Sequence, residues 1–389
     1  MADPPIAGTV APGWESIGAI FEENFRPSPG DAGDLGAGLC VISQGDVVVD
    51  LVGGWRDRAM SQPFEPDTLV NSYSVGKGIT AVIALIAASR GLVELDAPVN
   101  RHWKDFRQSS TLRQHLTHQA GLPALRGRVS DDVPTDWRRM CAALAATDPW
   151  WEPGTAHGYH VNTAGFLVGE PVRIAAGADR FGDLLAEWLA APLDADLCFG
   201  VPDRDLGRCS EIEFSGGKTP TAPSNSSVAS GDDDSLIQRN AYFNPSTISG
   251  MSTAGSNFVE SRVWRQAEVP STNLHATAKG VAKVYAAVLD PHGPVDRELF
   301  DEARATQVDG DDRVLLKRSR FGLGFQLHQD DRPIGVSPAS FGHFGFGGSI
   351  GFADPDAGLA VGYILNRPGD RWQIPRTKRL LAALRLKTD

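Results

Sequence analysis

Ser74 and Lys77 stand three residues apart, the spacing at which a hydroxyl and an amine share one face of a helix. An amine in that position could take the hydroxyl proton and turn Ser74 into a nucleophile toward an acyl carbon. The following stretch, Gly78 to Arg90, continues the spacing of Val75, Ile79, Val82 and Ile86 with Ala and Leu between them, then reaches Arg90-Gly91. That pattern predicts a buried helix opening at Ser74. Free backbone N–H groups and the positive dipole end of such a helix favour developing negative charge at its first turn. A lysine so close to an apolar core is costly unless it works with a partner there.

A second group belongs to the same chemistry. Tyr159 lies in Gly158-Tyr159-His160-Val161-Asn162-Thr163, between the turn Glu152-Pro153-Gly154-Thr155 and an apolar helical stretch. A tyrosine near a lysine cation has its phenolate favoured, so Tyr159 is a candidate second base, although taken alone it fits a buried aromatic with a satisfied hydroxyl better.

These groups need a scaffold, and the composition supplies one. The chain has 389 residues, of which 41% are hydrophobic, enough for two domains or one two-lobed body. Its formal charge of −11, with no extended Lys/Arg cluster, argues against nucleic acid or an anionic membrane as partner and leaves a small neutral molecule as the better fit. Cys40, Cys141, Cys198 and Cys209 are scattered without metal spacing, so free thiols are expected. Met1 to Gly13 has neither the basic start nor the apolar core of a signal peptide, and no stretch approaches membrane-span length. A cytoplasmic location follows as the expectation. The oligomeric state stays open.

Both chain ends read as strands with a helix. Trp14 to Phe25 is an amphipathic helix, and Gly38 to Ser43 with Asp46 to Val52 form a hairpin. Gly348 to Ala353 and Leu359 to Leu365 form another, closed by a helix over Pro375 to Leu386. Between them Thr111 to Leu116, Thr135 to Ala146, Thr163 to Ala176 and Phe181 to Leu189 have helical spacing, and Thr277 to Leu289 resumes the body. Residues 215–257 are filled with Gly, Ser, Thr, Asn and an Asp run, which fits a solvated loop better than a functional lid. The expected organisation is an α/β lobe from 1–95 and 275–389, with a mainly helical lobe over 96–274.

Taken with Leu112-Arg113-Gln114-His115-Leu116-Thr117-His118, Gly121-Leu122, and the segment from Phe341 to Ser349 leading into Gly351-Phe352-Ala353-Asp354-Pro355, these motifs resemble the family VIII carboxylesterases. That family shares its fold with class C β-lactamases and D-alanyl-D-alanine peptidases, and the resemblance spans nearly the whole chain. It implies an α/β fold of the α+β type: a central antiparallel sheet from both chain ends, flanked by helices, with a helical lobe as the other wall of a cleft. It also implies Ser74 as nucleophile, Lys77 and Tyr159 as base, and no cofactor. His343, Gly345 and Phe346 would lie along the substrate, and the amides of Ser74 and Phe346 would hold the oxyanion. The resemblance departs at two positions. Val161 stands where the lactamases carry Asn, with Asn162 one residue late. His343 replaces the strand lysine that would hold a carboxylate. Both departures favour short-chain neutral esters as substrates.

Rival readings are weaker. Gly347-Gly348-Ser349-Ile350-Gly351 matches a nucleophile elbow, yet it leads into a strand instead of a helix. His115 and His118 lack a carboxylate or Cys at metal spacing. Trp150 and Trp151 fit lobe packing better than a cleft mouth. A β-lactamase, a D-amino-acid peptidase or transesterase, and a non-catalytic binding protein remain as alternatives to the esterase.

Overall fold

The computed structural model describes residues 4–214, 234–245, 258–370 and 372–388. Twelve strands occur among them. They are β1 (Ile6–Val10), β2 (Gly36–Ser43), β3 (Asp46–Gly54), β4 (Val70–Asn71), β5 (Leu197–Cys198), β6 (His275–Ala276), β7 (Val308–Asp312), β8 (Lys317–Phe321), β9 (Gln326–Leu327), β10 (Phe341–Phe344), β11 (Ile350–Asp354) and β12 (Leu359–Leu365). Nine form one antiparallel sheet in the order β1-β3-β2-β12-β11-β10-β9-β8-β7. β12 pairs with β2 through Val361 opposite Val41. The expected sheet from both chain ends is therefore present, and β2 with β12 read as unbroken apolar runs because both of their faces are covered.

One face carries the Val75–Ser89 and Ala278–Leu289 helices, the other the Glu15–Glu23 and Pro375–Thr388 helices. Val75–Ser89 is the central element. Each residue from Val75 to Ala87 is buried, and the Ala164–Ala175 helix packs against its outer side. Its Ile79, Val82, Ile83, Leu85 and Ile86 each contribute roughly 1.5–3 kcal/mol by leaving water. The other expected helices appear as Leu112–Leu116, Trp137–Ala146 and Phe181–Leu185, the last continuing as a wider turn over Ala186–Ala190. β4, β5 and β6 make a second, three-stranded sheet.

Of the polar stretch 215–257, only 234–245 is described, and it includes a helix at Asp234–Phe243. The rest of that expected loop lies outside the described residues. All four cysteines are free thiols. No helix among the described residues is long and apolar enough to cross a membrane.

Candidate active site

Ser74 immediately precedes the Val75–Ser89 helix with helical angles, φ −71° and ψ −3°, and its hydroxyl makes no capping bond. Serine at this position ordinarily spends its oxygen on the helix amides. Here the oxygen is left for Lys77, whose Nζ lies 2.9 Å from Ser74 Oγ and also donates to Ser271 O at 2.9 Å. Tyr73 just before it sits at φ +51°, a left-handed backbone that costs a non-glycine residue about 1–3 kcal/mol. That sharp bend sets Ser74 at the helix mouth.

Tyr159 joins this pair from a different part of the chain. Lys77 Nζ lies 4.8 Å from the Tyr159 ring centroid, and the Ser74 hydroxyl is close enough to favour the phenolate against the larger effect of burial. All three groups are almost closed off, with Ser74 at 6%, Lys77 at 4% and Tyr159 at 1% exposure. Burial pushes Lys77 well below the usual lysine range and Tyr159 well above the usual tyrosine range. Burial thus disfavours both the Lys77 ammonium and the Tyr159 phenolate, so desolvation of the phenol opposes the phenolate that the sequence suggested.

His343 on β10 completes the group. Its Nδ1 is 2.7 Å from Phe344 O, which assigns the proton to Nδ1 and leaves Nε2 as an acceptor 3.4 Å from the Tyr159 hydroxyl. The ring is fully buried, and burial, then the nearby Lys77 charge, holds it well below the usual histidine range. A neutral, enclosed imidazole is a hydrogen-bond partner for Tyr159, not a carboxylate clamp. Gly345 follows β10 so closely packed that a Cβ would stand 2.4 Å from Ser72 O, so only glycine fits there. Phe346 meets the ring of Tyr73, the residue before Ser74, edge to face at 5.5 Å. Among the described residues, neither the Ser74 nor the Phe346 amide has a hydrogen-bond acceptor.

No motif or spacing pointed to Asp312, the last residue of β7. Its buried carboxylate accepts from Tyr159 N at 3.0 Å, Val314 N at 2.9 Å, Leu315 N at 2.8 Å and Ser319 Oγ at 2.8 Å. Ser319 in turn contacts His157 Nε2 at 2.9 Å. From the other side His118 O accepts from Gly158 N and His118 Nδ1 from His160 N. The Tyr159 segment is thus clamped between β7 and the end of the Leu112–Leu116 helix. Partners this distant in sequence leave no local spacing to read.

The remaining sequence candidates take structural places. Ser349 is buried, its Oγ accepting from Leu365 N and its carbonyl from Gly345 N. His115 bridges Ser110 Oγ and Leu167 O at 2.7 Å each, and the described residues hold no cluster that could bind a metal ion. Trp150 and Trp151 are buried in the cluster around Tyr159 and Val161. Asn162 donates to Ala241 O, tying its loop to the Asp234–Phe243 helix.

A cavity of 520 Å³ lies beside this group, walled by Tyr242, Phe344, Phe346 and Trp372, with Trp372 edge-on to Tyr159 at 5.4 Å. A larger groove of 1000 Å³ runs past Ile42, Lys283 and His292 and contains none of these residues. Size alone does not mark the site; proximity to a buried amine with a lowered pKa does.

An antiparallel sheet with a serine and lysine at the mouth of its central helix is the arrangement of one family. Residues 21–384 match the β-lactamase family model, and the chain belongs to that family. It is 34% identical over 351 residues to "Esterase/beta-lactamase LipL" of Mycobacterium tuberculosis, covering 85% of this chain and 77% of that one. It is 26% identical over 403 residues to "Esterase EstB" of Burkholderia gladioli, covering 95% and 94%. Among solved structures, a family VIII carboxylesterase superposes with a TM-score of 0.86 at 32% identity over 98% of this chain and 100% of that one. A penicillin-binding protein homologue from Caulobacter crescentus gives 0.85, also at 32% identity, over 98% and 100%.

Proposed function

We propose that this protein is a serine carboxylesterase that hydrolyses short-chain neutral esters through an acyl-enzyme on Ser74, in a cleft between an α/β lobe and a mainly helical lobe. The observation that carries the reading is the 2.9 Å contact between Ser74 Oγ and a lysine whose burial disfavours its charged form. Lys77 takes the hydroxyl proton as Oγ bonds to the ester carbon, and the carbonyl electron pair moves to oxygen, facing the Ser74 and Phe346 amides. The bond to the alcohol then breaks with its electron pair on the leaving oxygen. That oxygen takes a proton from Tyr159, which is resupplied from the Lys77 ammonium. Water attacks the acyl-enzyme by the reverse relay, giving up its proton to Tyr159 and Lys77 and returning one to Ser74. His343, accepting from the Tyr159 hydroxyl, fixes the direction of that phenol.

The carboxylesterase structure and the esterase of Burkholderia gladioli support ester hydrolysis, while the printed name of the Mycobacterium tuberculosis relative carries both activities. Val161 and neutral His343 argue the same way, each withholding an interaction worth roughly 1–3 kcal/mol to a lactam. Labelling with a fluorophosphonate followed by peptide mass spectrometry tests the nucleophile: the adduct belongs on Ser74 and is absent in Ser74→Ala. An adduct on Ser349, or full activity in Ser74→Ala, would overturn it. Nitrocefin turnover within about tenfold of p-nitrophenyl butyrate in kcat/KM would give the lead to the lactamase reading.

A further inference from the structure

We propose that the cavity beside Tyr159 seats the leaving alcohol of the ester, and that Lys317 and Arg332 on its wall select an alcohol bearing a remote carboxylate. The inference rests on the esterase reading and narrows it. Neutral esters are still substrates; the remote anion improves them.

The side of the carbonyl follows from the proton relay. The group that returns a proton to the leaving oxygen must touch that oxygen, so the alcohol lies against the Tyr159 phenol. The cavity lies next to that ring, because Trp372 stands edge-on to Tyr159 at 5.4 Å and forms one of its walls. Leu315, Leu327, Ile334 and Phe344 supply an apolar lining for an aryl or alkyl body.

The polar end is built differently. Lys317 Nζ stands 5.5 Å from the Trp372 ring centroid, one aromatic ring away from Tyr159. Arg332 and Lys378 also line the cavity, against the acids Asp331 and Asp370, so cations outnumber anions inside a chain of net charge −11. Among the described residues no carboxylate is within ion-pair reach of Lys317. The Arg332 guanidinium, 15% exposed, donates through Nη2 to Arg318 O and to Gln329 Oε1, while its Nε makes no hydrogen bond and has Asp331, 75% exposed, as its one carboxylate neighbour among the described residues, at 3.5 Å. Burial, then the neighbouring Arg332 charge, lowers the Lys317 pKa, and the more distant Asp331 and Asp312 offset this only in part. A carboxylate reaching this end would relieve that repulsion and find the Arg332 fork and the Lys317 point charge together. The class of substrate is therefore an acyl ester of a hydroxycarboxylic acid with an apolar spacer.

The test compares two butyrate esters: that of para-hydroxyphenylpropanoate, and the same compound with its carboxylate capped as the N-methylamide. The two methylenes insulate the phenol, so the leaving groups are matched and the ratio of kcat/KM reports recognition. The expected ratio favours the anion by roughly tenfold at low salt. It falls toward one in Lys317→Gln, reverses in Lys317→Glu, and shrinks in the wild type as ionic strength rises from about 0.05 M to about 0.5 M. A ratio that is the same in wild type and both variants, or insensitive to salt, overturns the inference while leaving the esterase reading intact. Hydrolysis of neither ester by the folded protein overturns that reading and this inference with it.

Discussion

Lys77 feels its surroundings more directly than any other residue of the site. Its folded pKa lies well below 10.5 because burial penalises the ammonium, so the folded chain binds fewer protons there than the unfolded chain. Stability then rises with pH from the lowered folded value up to the ordinary lysine value, and below that window the lysine is a net cost. Lys77→Met should gain stability relative to wild type at neutral pH and lose that advantage as pH climbs toward 10.5, read from thermal midpoints across the range. A pH-independent difference would mean that Lys77 is charged in the folded protein. Catalysis should show the coupling instead: Tyr159→Phe and Lys77→Ala each lose about 10²–10⁴ in kcat, and the double variant little more, because either loss breaks one relay. Simple additivity would separate the two residues. The spacing of Ser74 and Lys77 was legible in the sequence because both sit on one helix. The neutral state of Tyr159 was not, since it depends on the burial of groups far apart in the chain.

The elements hold these groups by contacts that local patterns do not record. The Val75–Ser89 helix was readable from its apolar period, and both terminal hairpins from their Val-, Ile- and Leu-rich runs and the turns between them. The β7–β8 hairpin was missed, for a physical reason: Val308-Asp309-Gly310-Asp311-Asp312 and Lys317-Arg318-Ser319-Arg320-Phe321 are dominated by charge, and β7 is an edge strand. That hairpin nevertheless carries Asp312, the acceptor for Tyr159 N, and Lys317 on the cavity wall. Asp312→Ala leaves the amides of Tyr159, Val314 and Leu315 and the Ser319 hydroxyl without their acceptor. A loss of about 3 kcal/mol or more in stability is expected from urea unfolding. The conservative Asp312→Asn keeps one acceptor oxygen and should lower kcat by roughly tenfold or more with KM nearly unchanged, because the phenol is misaimed while the cavity persists. Equal effects on kcat and KM would make Asp312 a general prop of the hairpin and nothing finer.

At the scale of the whole molecule, the chain ends are joined behind the sheet, on the face away from the Val75–Ser89 helix. Arg376, fully buried at the start of the Pro375–Thr388 helix, pairs with Asp31 at 2.9 Å and with Asp34, and donates to Arg367 O at 3.0 Å. Asn24 bridges the Tyr363 hydroxyl and Arg376 O, so the first helix, β12 and the last helix share one polar knot. The sequence foretold that both ends enter one sheet, but a buried arginine reads like any surface arginine until its partners are known. The same helix reaches the site, since the Thr377 hydroxyl donates to Gly348 O at 2.7 Å, two residues beyond Phe346. Arg376→Met would leave two buried carboxylates unpaired, at an expected cost of about 3–5 kcal/mol. The thermal midpoint should fall by several degrees, while fluorophosphonate labelling of Ser74 persists below it. Arg376→Met combined with Asp34→Leu should recover part of the loss, because removing both partners leaves fewer orphaned charges than removing one. Strictly additive losses in the double variant would show that the arginine acts through packing, and that the ion pair is not what joins the two ends.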